Sequence, residues 1–145
     1  MIGLDTSFLV GLTVREHPAH AACLDLFETR IRGMESSVAI CAQILGEFTH
    51  VVTDPRRFSQ PLEIAEALAI CSQWWSAVEC RIVEPTPHSF PLFIDWMQRH
   101  RLGRKRVPDT LLAANYYSAG IQRIATTDWR DFEIFDVFEI HRLGS

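Results

Sequence analysis

Five short apolar runs constrain this chain most: Met1 to Leu4, Ser37 to Cys41, Cys80 to Glu84, Ile121 to Ala125 and Val137 to Ile140. Each is too brief for a stable helix, and each is bounded by turn residues or acids, which is how buried strands read. Segments of helical period stand between them. Ala22, Cys23, Leu26, Phe27 and Ile31 recur at helical spacing between Pro18 and Arg32, and Ile44, Leu45, Phe48, Val51 and Val52 share one face of Ala42 to Thr53. Further helices are expected from Pro61 to about Val78, from His88 to Arg101, and from Pro108 to Ala119 with Gly120 as a stop. Strands alternating with helices predict a three-layer α/β domain around a mainly parallel sheet of about five strands.

The 145 residues suit one domain, 1–145, and a 48% hydrophobic content supplies its core. The first ten residues carry Asp5 and lack a basic leader, and no apolar stretch approaches a bilayer span, so a cytoplasmic protein with no membrane partner is expected. Cys23, Cys41, Cys71 and Cys80 are irregularly spaced among apolar neighbours and read as free thiols. The six histidines show no zinc spacing; His17 and His20, flanking Pro18-Ala19, read as surface or capping residues. Nucleotide fingerprints, phosphate loops and nucleophile elbows are all missing, which disfavours the usual cofactor enzymes.

The chemistry is carried by acids. In a parallel sheet, ligands gather where strands end, so residues distant in sequence meet there. Asp5 closes the first strand, Glu47 lies in the helix after the second, Asp109 is in the first turn after a basic segment, and Asp128 follows the fourth strand. Each alone has a structural explanation as a cap or turn residue. Glu47 is the hardest to explain that way, because Leu45-Gly46-Glu47-Phe48 sets it in an apolar segment. Together, converging carboxylates repel unless a cation joins them, and hard oxygen ligands suit Mg²⁺ or Mn²⁺, a chemistry able to cleave phosphodiesters.

Leu4-Asp5-Thr6-Ser7, Gly46-Glu47, Pro108-Asp109-Thr110-Leu111-Leu112-Ala113-Ala114 and Ala125-Thr126-Thr127-Asp128-Trp129-Arg130-Asp131-Phe132, in that order, resemble the PIN-domain signature. The resemblance implies a PIN-like α/β fold and a Mg²⁺- or Mn²⁺-dependent endoribonuclease acting on single-stranded RNA. Carried over by position, Asp5 and Asp109 are principal metal ligands, Glu47 completes or positions metal and water, and Asp128 is the fourth acid. Thr6 or Thr126 orients a ligand or water. Asp131, three residues on, reads as an exposed turn acid. With no added RNA-binding module, the chain looks like the VapC type of toxin, implying a cognate antitoxin and commonly a homodimer. A stand-alone RNA-processing nuclease would carry much the same residues, and a catalytically inactive RNA- or protein-binding module is the other alternative.

The net charge of −4 disfavours broad nucleic-acid binding, but basic residues concentrate between Arg99 and Arg106. Arg104, Lys105 and Arg106 are candidate RNA contacts on that basis, with a solvated connector as the equal alternative. Trp129, beside Asp128, is a candidate for stacking on an unpaired base, while Trp74, Trp75 and Trp96 read as core or partner packing. A phosphatase of the haloacid-dehalogenase kind would want a second Asp where Ser7 stands, and a receiver domain would want an acceptor Asp after the second strand, where there is none.

Overall fold

The computed structural model describes residues 1–144. Five strands, β1 (Ile2–Leu4), β2 (Val38–Ile40), β3 (Cys80–Ile82), β4 (Arg123–Thr126) and β5 (Glu139–Arg142), form one sheet ordered β3-β2-β1-β4-β5. All four pairings are parallel. Burial explains the order. β1 and β2 are buried at every residue and β4 at all but its first, whereas β3 and β5 alternate partly exposed positions, as edges do.

The helices are α1 (Thr6–Thr13), α2 (His20–Leu26), α3 (Ala42–Val52), α4 (Ile64–Ser76), α5 (Ser89–Arg99), α6 (Val107–Ser118) and α7 (Arg130–Glu133). A π turn, Phe27–Ile31, extends α2, and a 3₁₀ turn, Arg104–Arg106, precedes α6. α1 packs on α2 and α3, and α3 on α4; α6 packs on α5 and α7. The right-handed crossovers usual between parallel strands would direct these two groups to opposite faces of the sheet, as a three-layer arrangement requires. Among the described residues no helix is long and apolar enough to cross a membrane.

Three local differences from the expected elements have physical causes. α4 starts at Ile64 rather than at Pro61, because Glu63 and Glu66 form a reciprocal capping box and Leu62 N–H is held by the Val52 carbonyl at 2.9 Å. The last strand begins at Glu139, two residues later than Val137, where pairing with Arg123 sets its register. α7 has no apolar repeat long enough to announce it, and it forms because Phe132 plugs the core completely. The cysteines are free, as expected. Trp96 is buried and stacks on Phe135 with ring centroids 4.5 Å apart, and Trp74 meets Phe27 edge-on, while Trp75 is 45% exposed.

α6 is fastened to the sheet centre by Tyr116. Its hydroxyl, fully buried, donates to the Leu4 carbonyl at 2.6 Å and lies 3.1 Å from the Ala39 carbonyl, tying the helix to β1 and β2 together. The ring rests on Gly3, where a Cβ would stand 3.0 Å from two ring carbons and 3.1 Å from Ile121 Cγ2. Glycine is therefore required at position 3 for close approach. Gly3→Ala should destabilise the protein by about 1–3 kcal/mol, the usual cost of overpacking a closed core, and urea unfolding would measure it.

Candidate active site

Strand order places a switch point at β1, because the chain leaves it toward β2 and returns on its other side as β4. The carboxyl ends of β1 and β4 thus open one crevice. Asp5 stands there as the cap of α1, only 3% exposed. Its Oδ1 accepts Thr6 N–H at 2.8 Å, and its Oδ2 accepts the hydroxyls of Ser7 at 2.8 Å and Thr126 at 2.7 Å. Those hydroxyls in turn accept the Thr127 and Asp128 N–H groups, both at 2.9 Å. One carboxylate thereby fixes the exits of both strands.

The other acids reach the same crevice from helices. Glu47, half-buried on α3, accepts the Thr6 hydroxyl at 2.8 Å. Asp109 lies in the first turn of α6, next to Pro108, and Asp128 stands exposed at the rim. Asp5, Glu47, Asp109 and Asp128 all line one cleft of about 340 Å³. Among the described residues, none of these four carboxylates takes part in an ion pair.

The electrostatic consequence is strain. Burial pushes Asp5 up to about 6, with the Asp128 charge adding to it and the hydrogen bonds opposing it. Asp109 rises to about 8, first through burial and then through the charges of Asp5, Asp131 and Glu47. The positive end of α6 would lower Asp109, so burial and repulsion outweigh the helix field. Asp128 is raised by burial and by Asp131, against a lowering contribution from His17.

The donor set is all hard oxygen, crowded and without a paired cation, which fits Mg²⁺ or Mn²⁺ rather than a soft metal. As the side chains stand, no three acids, histidines or cysteines among the described residues are close enough to enclose an ion. Asp5 and Asp109 are the buried pair best placed to hold a cation, with Glu47 across the cleft and Asp128 at its mouth.

Four residues beyond the expected set belong to this region. Ser7 bonds Asp5, and its only sequence signal was its place in the Asp-Thr-Ser run. His17 and Arg57 line the cleft without any spacing that would have marked them. Asp131 corrects an expectation: it is half-buried, not an exposed turn acid, because α7 sets it beside Arg106 and near enough to Asp109 for its charge to raise that carboxyl.

The expected RNA contacts divide. Arg104 and Lys105 are exposed on the 3₁₀ turn and do not line the acidic cleft. Arg106 turns inward instead, donating from Nη2 to the Asp131 carbonyl at 2.5 Å with Nε 3.6 Å from its carboxylate, so it is committed to α7. Trp129 is not free for stacking as expected. The Arg142 guanidinium of edge strand β5 covers its ring at 3.9 Å, and Arg130 lies 4.9 Å from the ring centroid.

No protein-family model matches the chain. In sequence it is 27% identical over 136 residues to Ribonuclease VapC24 of Mycobacterium tuberculosis, which spans 93% of this chain and 91% of the relative. Among solved structures, VapC20 of Mycobacterium tuberculosis, described as a sarcin-ricin loop cleaving toxin, superposes with a TM-score of 0.74 at 23% identity over 97% of this chain and 99% of its own. VapBC2 from Rickettsia felis, bound to a promoter DNA fragment, gives 0.66 at 15% identity, covering 99% of both chains. VapBC-1 from nontypeable Haemophilus influenzae gives 0.64 at 11%, covering 98% of both. With the parallel sheet and the switch-point crevice already in view, similarity along almost the whole length shows that this chain shares the fold of these VapC structures and resembles a VapC ribonuclease in sequence.

Proposed function

We propose that this protein is a divalent-metal-dependent endoribonuclease, hydrolysing phosphodiester bonds of single-stranded or loop RNA as the toxin of a toxin–antitoxin pair. The observation that carries this reading is the meeting of Asp5, Glu47, Asp109 and Asp128 in one cleft without a counter-cation. The named activity of VapC24 and the VapBC complexes among the structural neighbours support an RNA substrate and a cognate antitoxin partner. A cytoplasmic homodimer is part of the same proposal.

In it, Asp5 and Asp109 hold Mg²⁺ or Mn²⁺, Glu47 completes the set, and Asp128 closes it. When bound, the ion supplies Lewis acidity at a phosphoryl oxygen and a lowered pKa for water. The chain's own residues provide position. Asp5 is immobilised by three donors, so it presents a fixed oxygen to the cleft. Thr6 ties Glu47 to the start of α1, and Thr126 joins Asp5 to the backbone of Asp128, so the acids are set relative to one another. The raised Asp5 and Asp109 carboxyls are returned to their ionised form by a cation, which links metal binding to proton release.

Two outcomes test this. Wild type should cut a labelled single-stranded RNA with Mg²⁺ or Mn²⁺ and not with chelator, and Asp5→Asn, still folded by thermal melting, should lose about a hundredfold or more of that activity. Wild-type cutting that survives in chelator would exclude the proposal. The second outcome concerns stability in chelator. Asp5 and Asp109 have folded values above the ordinary 3.8, so between about pH 4 and 8 the folded state binds more protons than the unfolded state. Metal-free stability should accordingly fall as pH rises through that window. Thermal melts should show the fall flattened in Asp109→Asn and reversed in wild type by adding Mn²⁺.

A further inference from the structure

His17 lines the acidic cleft beside Asp128, whose carboxyl pKa it lowers, and makes no hydrogen bond to any of the four acids. It lies in the connection between α1 and α2, which is firmly pinned: His17 N–H donates to the Val14 carbonyl and His20 N–H to the His17 carbonyl, both at 3.0 Å. The ring is oriented as well. Its Nδ1 accepts the Ala19 N–H at 3.0 Å. A backbone amide can only donate, so Nδ1 must keep its lone pair and the ring proton must sit on Nε2.

That Nε2–H has no hydrogen-bond partner among the described residues. The Thr6 hydroxyl is committed to Glu47, the Ser7 and Thr126 hydroxyls to Asp5, and Arg57 Nε faces Asp54 at 3.7 Å. Beside the solvent-exposed Arg57 guanidinium, His17 thus offers this acid-rich cleft a donor whose direction the Ala19 N–H fixes. A phosphodiester has non-bridging oxygens that the metal-binding acids cannot serve, since carboxylates only accept.

Resting on the nuclease reading, we propose that His17 binds the RNA substrate, donating its Nε2–H to a non-bridging phosphate oxygen on the Asp128 side of the metal-binding acids. The contact is made in the ground state and retained through reaction, so it governs KM.

Two variants separate this role from support of the turn. The amide oxygen of His17→Asn takes the place of Nδ1 and keeps the Ala19 N–H satisfied, but nothing reaches the cleft. The amide nitrogen of His17→Gln reproduces the distal donor and gives up the inner acceptor. In steady-state cleavage of single-stranded RNA with Mn²⁺, His17→Asn should raise KM by about tenfold or more with kcat within about twofold. His17→Gln should stay within about threefold of wild type in KM and yet melt at a lower temperature than His17→Asn. In an Asp5→Asn background, where the RNA is not cut, adding His17→Asn should weaken binding of the same single-stranded RNA by the factor of the KM change. The reverse order of the variants in KM, or no change in either, would overturn the proposal while leaving the nuclease reading intact. A wild type that cuts no RNA with either metal would instead remove the nuclease reading, and this inference with it.

Discussion

The site depends on one buried carboxylate being given enough donors to remain where it is. Asp5 occupies a position that solvation would forbid to an isolated acid, and three hydrogen bonds hold it there. Two of those donors, Ser7 and Thr126, pass the constraint on to the backbone after β4. The geometry of the crevice is therefore set by side-chain chemistry at the strand ends and not by the sheet hydrogen bonds alone. A hydroxyl removed at position 7 or 126 would leave the sheet intact and the crevice unanchored.

The chain accepts local electrostatic tension in return for a cleft that can take a cation. In a cleft of about 340 Å³, with Asp131 behind Asp109, Asp5 and Asp109 keep protons that ordinary carboxylates would have lost. Arg106 blunts the crowding from outside by pairing with Asp131, and it stops short of the four acids themselves. This distribution reconciles a net charge of −4 with a nucleic-acid reading. The acids are concentrated where a divalent ion can neutralise them, and Arg104 and Lys105 stand exposed just outside.

Much of this was legible in the residues, and the limits are physical. The strands were readable because a strand covered on both faces must be apolar throughout, and Val38-Ala39-Ile40 and Ile124-Ala125 have no other use. Asp5, Glu47, Asp109 and Asp128 were readable because strand ends in a parallel sheet share one crevice. Direction in space was not. Arg106 and Arg104 are equivalent in sequence, but one helical step turns the first toward α7 and leaves the second in solvent. Trp129 looks free beside Asp128 until β5 brings Arg142 over it from thirteen residues away. His17 and Asp131 gave no periodic signal, since a loop and a single helical turn placed them.

The topology also sets a schedule. Asp5 and Glu47 belong to the first third of the chain, while Asp109 and Asp128 follow only after β3 and α5, and β1 lacks its second neighbour until β4 exists. A chain made from its N-terminus can pair β1, β2 and β3 early, but its cleft has two walls missing until the last quarter has emerged. A partly synthesised copy thus holds neither the buried environment of Asp5 nor the full set of acids. Whatever this cleft does waits until β4 has joined β1 and brought the Asp128 turn with it.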